Sequence, residues 1–255
     1  MQPFLVASGI CNLFWLHKAN ATFFGCILYF FFLILRSNHI LMRTTAIITG
    51  DIVDSTKLSL AERDIMVKTL QNIPEILHPI SRISMEIFRG DSFQIQIHDI
   101  AASAKAAITV RAWLKSQPIT GKTPLDARLA IGIGEADYQS NSLSTSDGEA
   151  YRLSGRLLDK MQKARLEIAT PWPTVNEELA LATAFVDDIV TSWTPNQSKI
   201  MLLLLQTSKS HIELAQTLDI SRQMVDKSLK ASKEDLIESY LNRFKILIDE
   251  HLNKS

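Results

Sequence analysis

Between Thr45 and Gly134 the apolar residues switch repeatedly between a strand-like and a helix-like period, and the order of those switches leaves few folds open. Ala46 to Thr49 reads as a short buried strand ending at Gly50 and Asp51, and Leu58 to Leu77 carries the spacing of an amphipathic helix. Ile83 to Phe88 and Phe93 to Ile97 alternate around the turn-forming Arg89, Gly90, Asp91 and Ser92, which predicts a hairpin. Ile100 to Leu114 is again helical. After a loop holding Pro118, Gly121 and Pro124, Ala127 to Ile133 alternates toward a strand ending at Gly134. The order is βαββαβ, the split βαβ unit. It predicts an α+β, ferredoxin-like domain in which an antiparallel sheet carries two helices on one face and the first strand lies centrally beside the third.

With 255 residues, 46% of them hydrophobic, the chain can bury one large or two modest domains. Lys and Arg number 27 and so do Asp and Glu, so no whole-chain excess of charge points to nucleic acid or an anionic membrane. Such a partner must be recognised by local motifs. Both cysteines, Cys11 and Cys26, precede residue 42, which excludes disulfides, CxxC metal sites and cysteine nucleophiles from the remainder.

Residues 1–41 are an apolar segment of their own. Phe4 to Leu16 and Ala21 to Leu35 are runs of roughly 13 and 15 residues, each shorter than the ~20 that a spanning helix needs, and neither has the flanks of a signal peptide. Met42 stands directly before Arg43, Thr44, Thr45 and the first strand, so translation is expected to start there. The alternative is a membrane anchor, with Arg36 and Arg43 holding the body of the chain in the cytoplasm. On both readings that body is expected to be cytoplasmic, as an α/β domain over 42–192 and a helical domain over 193–255.

The strand order has a consequence for chemistry. Asp51 falls just past the first strand and Asp91 in the hairpin leading to the third, so adjacent strands bring both carboxylates to one edge of the sheet. Two close carboxylates repel and favour a cation. With oxygen ligands and no neighbouring Cys or His, that cation is expected to be Mg²⁺ or Mn²⁺, which commonly also contacts phosphate. The bland alternative is that Asp and Gly are ordinary turn residues. Beyond an Asn- and Ser-rich loop, a helix from Asp147 to about Lys163 places Arg152 and Arg156 at i and i+4, where one phosphate could meet both. Small Ala150, Ser154 and Gly155 would let it approach another backbone closely. Glu149 or Asp159 could instead neutralise the arginines on a solvated face.

The most specific pattern lies near the C-terminus. After Pro171 and Pro173, Asn176 to about Trp193 reads as a connecting helix, and Gln197 to Gln206 as a buried one. Ser210 to Leu218 and Ser221 to Lys230 then read as short helices joined by a tight turn, with Leu214, Leu218, Ile220, Val225 and Leu229 where the helices of a helix-turn-helix face each other. Asp219 stands at the turn position usually held by Gly, and Asp tolerates the left-handed conformation better than most residues. Ser221 would cap the second helix and offer Arg222, Gln223 and Lys227 to the major groove of DNA, with Lys230 near the backbone. The competing reading is a plain helical hairpin. A last helix, Lys233 to about Leu252, has an apolar stripe suited to this module or to a second copy in a homodimer.

The stretches ITGDIVDS, IFRGDSFQIQI, RLAIGIG and GEAYRLSGRLLDKM, followed by the helix-turn-helix pattern, resemble the SatD family of bacterial proteins across nearly everything after Met42. More remotely, the first half resembles the catalytic domain of class III nucleotide cyclases. That resemblance implies metal ligation by Asp51 and Asp91, a transition-state Arg at Arg156, and a purine-selecting position near Thr145. It also puts Ile87, which cannot hydrogen-bond a base, where those cyclases carry a purine-selecting Lys, and Arg152 where they carry an Asn. The metal and phosphate half of a cyclase site is kept while the base-reading half is eroded. The expected function is therefore a DNA-binding regulator whose cyclase-like domain senses a nucleotide-like ligand or a divalent metal. The alternatives are an active purine nucleotide cyclase and a non-catalytic scaffold.

Overall fold

The computed structural model describes residues 43–117, 124–136, 143 and 147–253; the expectations for residues 1–41 and for Thr145 lie outside them. The described residues contain a sheet of β1 (Arg43–Ile52), β2 (Ile83–Phe88), β3 (Ser92–Ile97), β4 (Ala127–Ala136) and β5 (Leu166–Ala169), in the order β2-β3-β1-β4-β5. β1 is central and antiparallel to β3 and β4, β2 is antiparallel to β3, and β5 lies parallel to β4. The split βαβ arrangement thus holds, extended by a strand that the sequence did not announce. β5 has 4 residues, too few to display a period.

The helices are α1 (Leu60–Gln71), α2 (Ile73–Leu77), α3 (Ser103–Ser116), α4 (Glu149–Lys160), α5 (Pro173–Ser192), α6 (Pro195–Gln206), α7 (His211–Leu218), α8 (Arg222–Ala231) and α9 (Glu234–Leu252). The single helix expected over Leu58–Leu77 is in fact α1 and α2, meeting at Asn72. Pro74 has no N–H to continue the ladder, and its ring crowds the carbonyl one turn back. Reciprocal capping boxes start α1 (Ser59 with Glu62), α6 (Thr194 with Gln197) and α7 (Ser210 with Glu213).

Alternation along the strands sorts the sheet into two faces. Ala46, Ile48, Phe93, Ile95, Leu129 and Ile131 are fully buried on one face, under apolar residues of α1, α2 and α3. The same core continues into α5 through α9. Ile47, Thr49 and Asp51 of β1 point to the other face with Arg128, Gly132 and Gly134 of β4, and α4 packs there over β1 and β4. A smaller cluster of Ile47, Ala136, Leu143, Ala150 and Tyr151 fills that side.

The C-terminal helices are seated on the sheet half: α6 packs against α3. Trp193, between α5 and α6, is 2% exposed, and its indole N–H donates to the Ser232 carbonyl at 3.0 Å. Arg43–Ser255 form one compact unit. No helix among the described residues is long and apolar enough to cross a membrane.

Candidate functional site

The register places Asp51 opposite both Ser92 of β3 and Arg128 of β4, and the Ile52 N–H donates to the Asp91 carbonyl at 3.1 Å. Asp51 and Asp91 therefore share one edge of the sheet. The hairpin between β2 and β3 turns tightly enough to bring Asp91 there because Arg89 and Gly90 both adopt positive φ, 52° and 84°. Each carboxylate is already held. Ser55 donates its hydroxyl to Asp91 at 2.6 Å. Arg128 grips Asp51 through both carboxylate oxygens, Nε at 3.0 Å and Nη2 in a second bond, while its Nη1 donates to the Met161 carbonyl at 3.0 Å. The Asp51 hydrogen bond raises the Arg128 guanidinium above its ordinary value, so it stays charged.

This geometry tests the fit of a divalent ion. Among the described residues, no group of three or more His, Cys, Asp or Glu could hold a metal. The charge of Asp51 is balanced by the planar fork of Arg128, which occupies the oxygens a cation would need. As arranged, the edge does not present a two-carboxylate site, and Mg²⁺ or Mn²⁺ fits there only once Arg128 has moved away.

Helix α4 lies close on β4 because Gly132 and Gly134 carry no side chain. A Cβ at Gly132 would sit 2.2 Å from the Ala150 carbonyl oxygen and 2.6 Å from the Ser154 nitrogen. Polar contacts fix the register of helix on sheet: Thr49 donates to Ser154 at 2.8 Å and Gln94 donates to Thr49 at 3.2 Å. Small Ala150 and Ser154 face the sheet, while Arg152 and Arg156 are exposed. Arg152 pairs with Asp147 at 2.9 Å, a partner other than the Glu149 and Asp159 foreseen from spacing.

Behind this edge lies an ionic network that the sequence does not reveal. Arg111 of α3 is 0% exposed and donates to both oxygens of Asp126 at 2.9 Å, to Asp187 of α5 at 2.6 Å and to Thr191 at 2.7 Å. Arg165 adds a bond to Asp126 at 2.7 Å, and Lys115 donates to the Thr191 carbonyl at 3.0 Å. Burial alone would raise Asp126, but hydrogen bonds and charge from Arg111, aided by Lys115 and Arg165, hold it below the ordinary carboxylate value. The Asp126 carbonyl also accepts from Val53 at 2.9 Å. The network thus joins α3 and α5 to the segment just after Asp51.

In the C-terminal helices, α7 ends at Asp219 in the left-handed conformation, φ 53°, and α8 starts after Ser221, whose hydroxyl accepts from the Met224 N–H at 3.3 Å. Leu214, Ala215, Val225 and Leu229 are buried between helices. Ser221, Arg222, Gln223, Lys227 and Lys230 are exposed along α8.

No protein-family model matches the sequence, and no curated protein is a significant match. Several solved structures are similar to part of the chain. The guanylyl cyclase domain of the RhoGC fusion protein from the aquatic fungus Blastocladiella emersonii is 17% identical over 49% of this chain and 78% of its own, with a TM-score of 0.41. The guanylyl cyclase Cya2 is 17% identical over 50% of this chain and 75% of its own, at 0.40. A bacterial light-regulated adenylyl cyclase is 17% identical over 49% and 74%, at 0.37. These likenesses span about half of the chain. At this level they assign no activity.

Ile87 lies opposite Phe93 and packs against the main core, on the face away from α4. No hydrogen bond to a base is available from it.

His211 at the start of α7 ties the C-terminal helices together. Its Nδ1 lies 2.7 Å from Asp226 of α8 and its Nε2 3.3 Å from Glu234 of α9. The Asp226 hydrogen bond raises its pKa most, burial opposes, and Glu234 adds to the rise. A raised folded-state pKa contributes stability that is fully present below the unfolded value of 6.5 and lost as pH climbs through the folded one. Amide exchange in α7 and α8 is expected to quicken as pH rises above about 6.5, beyond its intrinsic pH dependence, and His211→Gln to remove that excess. An unchanged excess in the variant would assign it elsewhere.

Proposed function

We propose that the chain is a DNA-binding regulator whose cyclase-like half holds a phosphate-bearing, nucleotide-like ligand without turning it over. The observation that carries this reading is the two-sided character of α8. Val225 and Leu229 are 0% and 1% exposed against the neighbouring helices, while Arg222, Gln223, Lys227 and Lys230 are exposed to solvent after a left-handed turn at Asp219. That is what a helix needs to enter a major groove with its support intact. Asp226, the residue on this helix least suited to phosphate, is engaged by His211 and lies 3.5 Å from Arg222.

For the other half, the reading rests on Asp51 and Asp91 at one sheet edge and on Arg152 and Arg156 exposed along α4. Turnover would require these groups to meet one transferring phosphoryl group together. With Asp51 gripped by Arg128, binding is favoured over catalysis. In this reading Mg²⁺ or Mn²⁺ competes with Arg128 for Asp51, a base can be read only from a position such as Thr145, and the exposed stripe of α9 can serve a homodimer. The body of the chain works in the cytoplasm.

The test is retention of the chain's own upstream DNA by the purified full chain, across a salt series, with and without Mg²⁺ and ATP or GTP. Specific retention is expected, weakened by about 1–3 kcal/mol in Arg222→Ala. Absence of retention under every condition would sink the DNA reading and leave the scaffold. A second reading, an active cyclase, is favoured by the shared edge of Asp51 and Asp91. Formation of a cyclic product from ATP or GTP, lost in Asp51→Ala, would establish it in place of the binding reading.

A further inference from the structure

A cavity of about 670 Å³ lies where the turn Ile100–Ala102 and the first turn of α3 meet α6, α7 and α9, well away from the Asp51 edge. Its volume falls within the range of small-molecule sites. Its apolar surface comes from the half-buried Leu204 of α6 and Leu241 of α9, backed by the buried Met201, Leu205 and Ile237. Lys105 of α3 forms part of the wall. It is half-buried, and its ammonium makes no hydrogen bond or ion pair with any described residue. Burial pushes its pKa down, the sign of a charge deprived of water without compensation.

The other charges around the cavity are better served. Lys209 donates to Thr217 at 2.9 Å, Glu234 is engaged by His211, and Asp99, Glu238 and Lys245 are exposed at the rim. The unmet demand in the wall is therefore for an anion, and beside it Leu204 and Leu241 keep part of their apolar surface open.

We propose that this cavity binds a small organic anion with an apolar body, a carboxylate whose acid group meets Lys105 while its chain lies on Leu204 and Leu241. The site is separate from the nucleotide-like ligand suggested above and does not depend on it. Its walls belong to both halves of the unit, and His211 in the wall holds α8 through Asp226. An occupant would therefore bear directly on the placement of α8.

Octanoate is the probe, titrated calorimetrically into the full chain, with octylamine and octan-1-ol as matched controls. One saturable site for octanoate is expected, with octylamine not competing. Lys105→Gln is expected to weaken binding roughly ten- to hundredfold and Lys105→Arg to preserve most of it, since a charge-assisted hydrogen bond is lost in one and kept in the other. Because Lys105 has no partner among the described residues, both variants should fold with unchanged melting temperature. A diazirine analogue of octanoate should label α6 or α9. The proposal is overturned if octanoate does not bind, if octylamine binds equally well, if Lys105→Gln leaves the affinity unchanged, or if the label maps elsewhere.

Discussion

Replacing Arg111 with alanine is expected to destabilise the protein by about 3–5 kcal/mol, the usual cost of leaving a buried charge without its partner. The Arg111 side chain is wholly inaccessible, and its loss abandons Asp126 and Asp187 together. Arg165 and Lys115 still approach Asp126, at 2.7 and 3.9 Å, so its abandonment is partial, whereas Asp187 keeps only the Arg165 backbone N–H at 2.7 Å and the Thr191 hydroxyl at 3.3 Å. Arg111→Ala with Asp126→Ala should cost less than the sum of the single changes, because the two residues act as one unit. Urea unfolding of the three variants measures this; a loss below about 1 kcal/mol for Arg111→Ala would mean that water enters to replace the guanidinium.

The same network sets a dependence on acid. Asp126 is held below its ordinary value of 3.8, so it binds protons more readily unfolded than folded. Its contribution is complete above that value and is lost as pH falls through the depressed one.

The second large effect is expected at Gly132. Its missing Cβ would meet backbone atoms of α4, which cannot rotate aside as a side chain can. Gly132→Ala must lift the helix from β4 and stretch the bond between Thr49 and Ser154, at a cost of about 3 kcal/mol. Gly134→Ala is the control. There the added methyl meets first the Glu149 carboxylate end at 2.8 Å, which can swing away, with the Ala150 nitrogen at 3.1 Å. Thermal unfolding should separate the two variants clearly, and equal losses would show that α4 is not held by close backbone contact.

These sites differ in how far the sequence discloses them. Gly132 and Gly134 are two apart in a strand and so share a face, and of the small residues Ala150, Ser154 and Gly155 the first two make the close approach their size allows, while Gly155 has open space beside it. The hairpin at Arg89 and Gly90, the central place of β1 and the turn at Asp219 follow from local residue preferences, which act over a few positions. The network around Arg111 does not. Its partners Asp126 and Asp187 lie 15 and 76 residues away, and within the helical run an arginine and a lysine four apart look like an ordinary solvated face. Arg128 was hidden for a similar reason. It lies 77 residues from Asp51 and faces it only because β1 and β4 pair in one register. Asp51 and Asp91 could be placed at a common edge from topology, whereas their counter-ions could not.

The packing of α6 on α3 bears on how this chain can vary. Proteins that carry a small helical module on a flexible tether can trade it for another by recombination, since neither part loses cover when they separate. Here a cut at Ser192 would strip α3 of its neighbour α6 and leave the faces of both without cover. The C-terminal helices are therefore not an exchangeable cassette, and changes in their outward face must arise residue by residue on a fixed support.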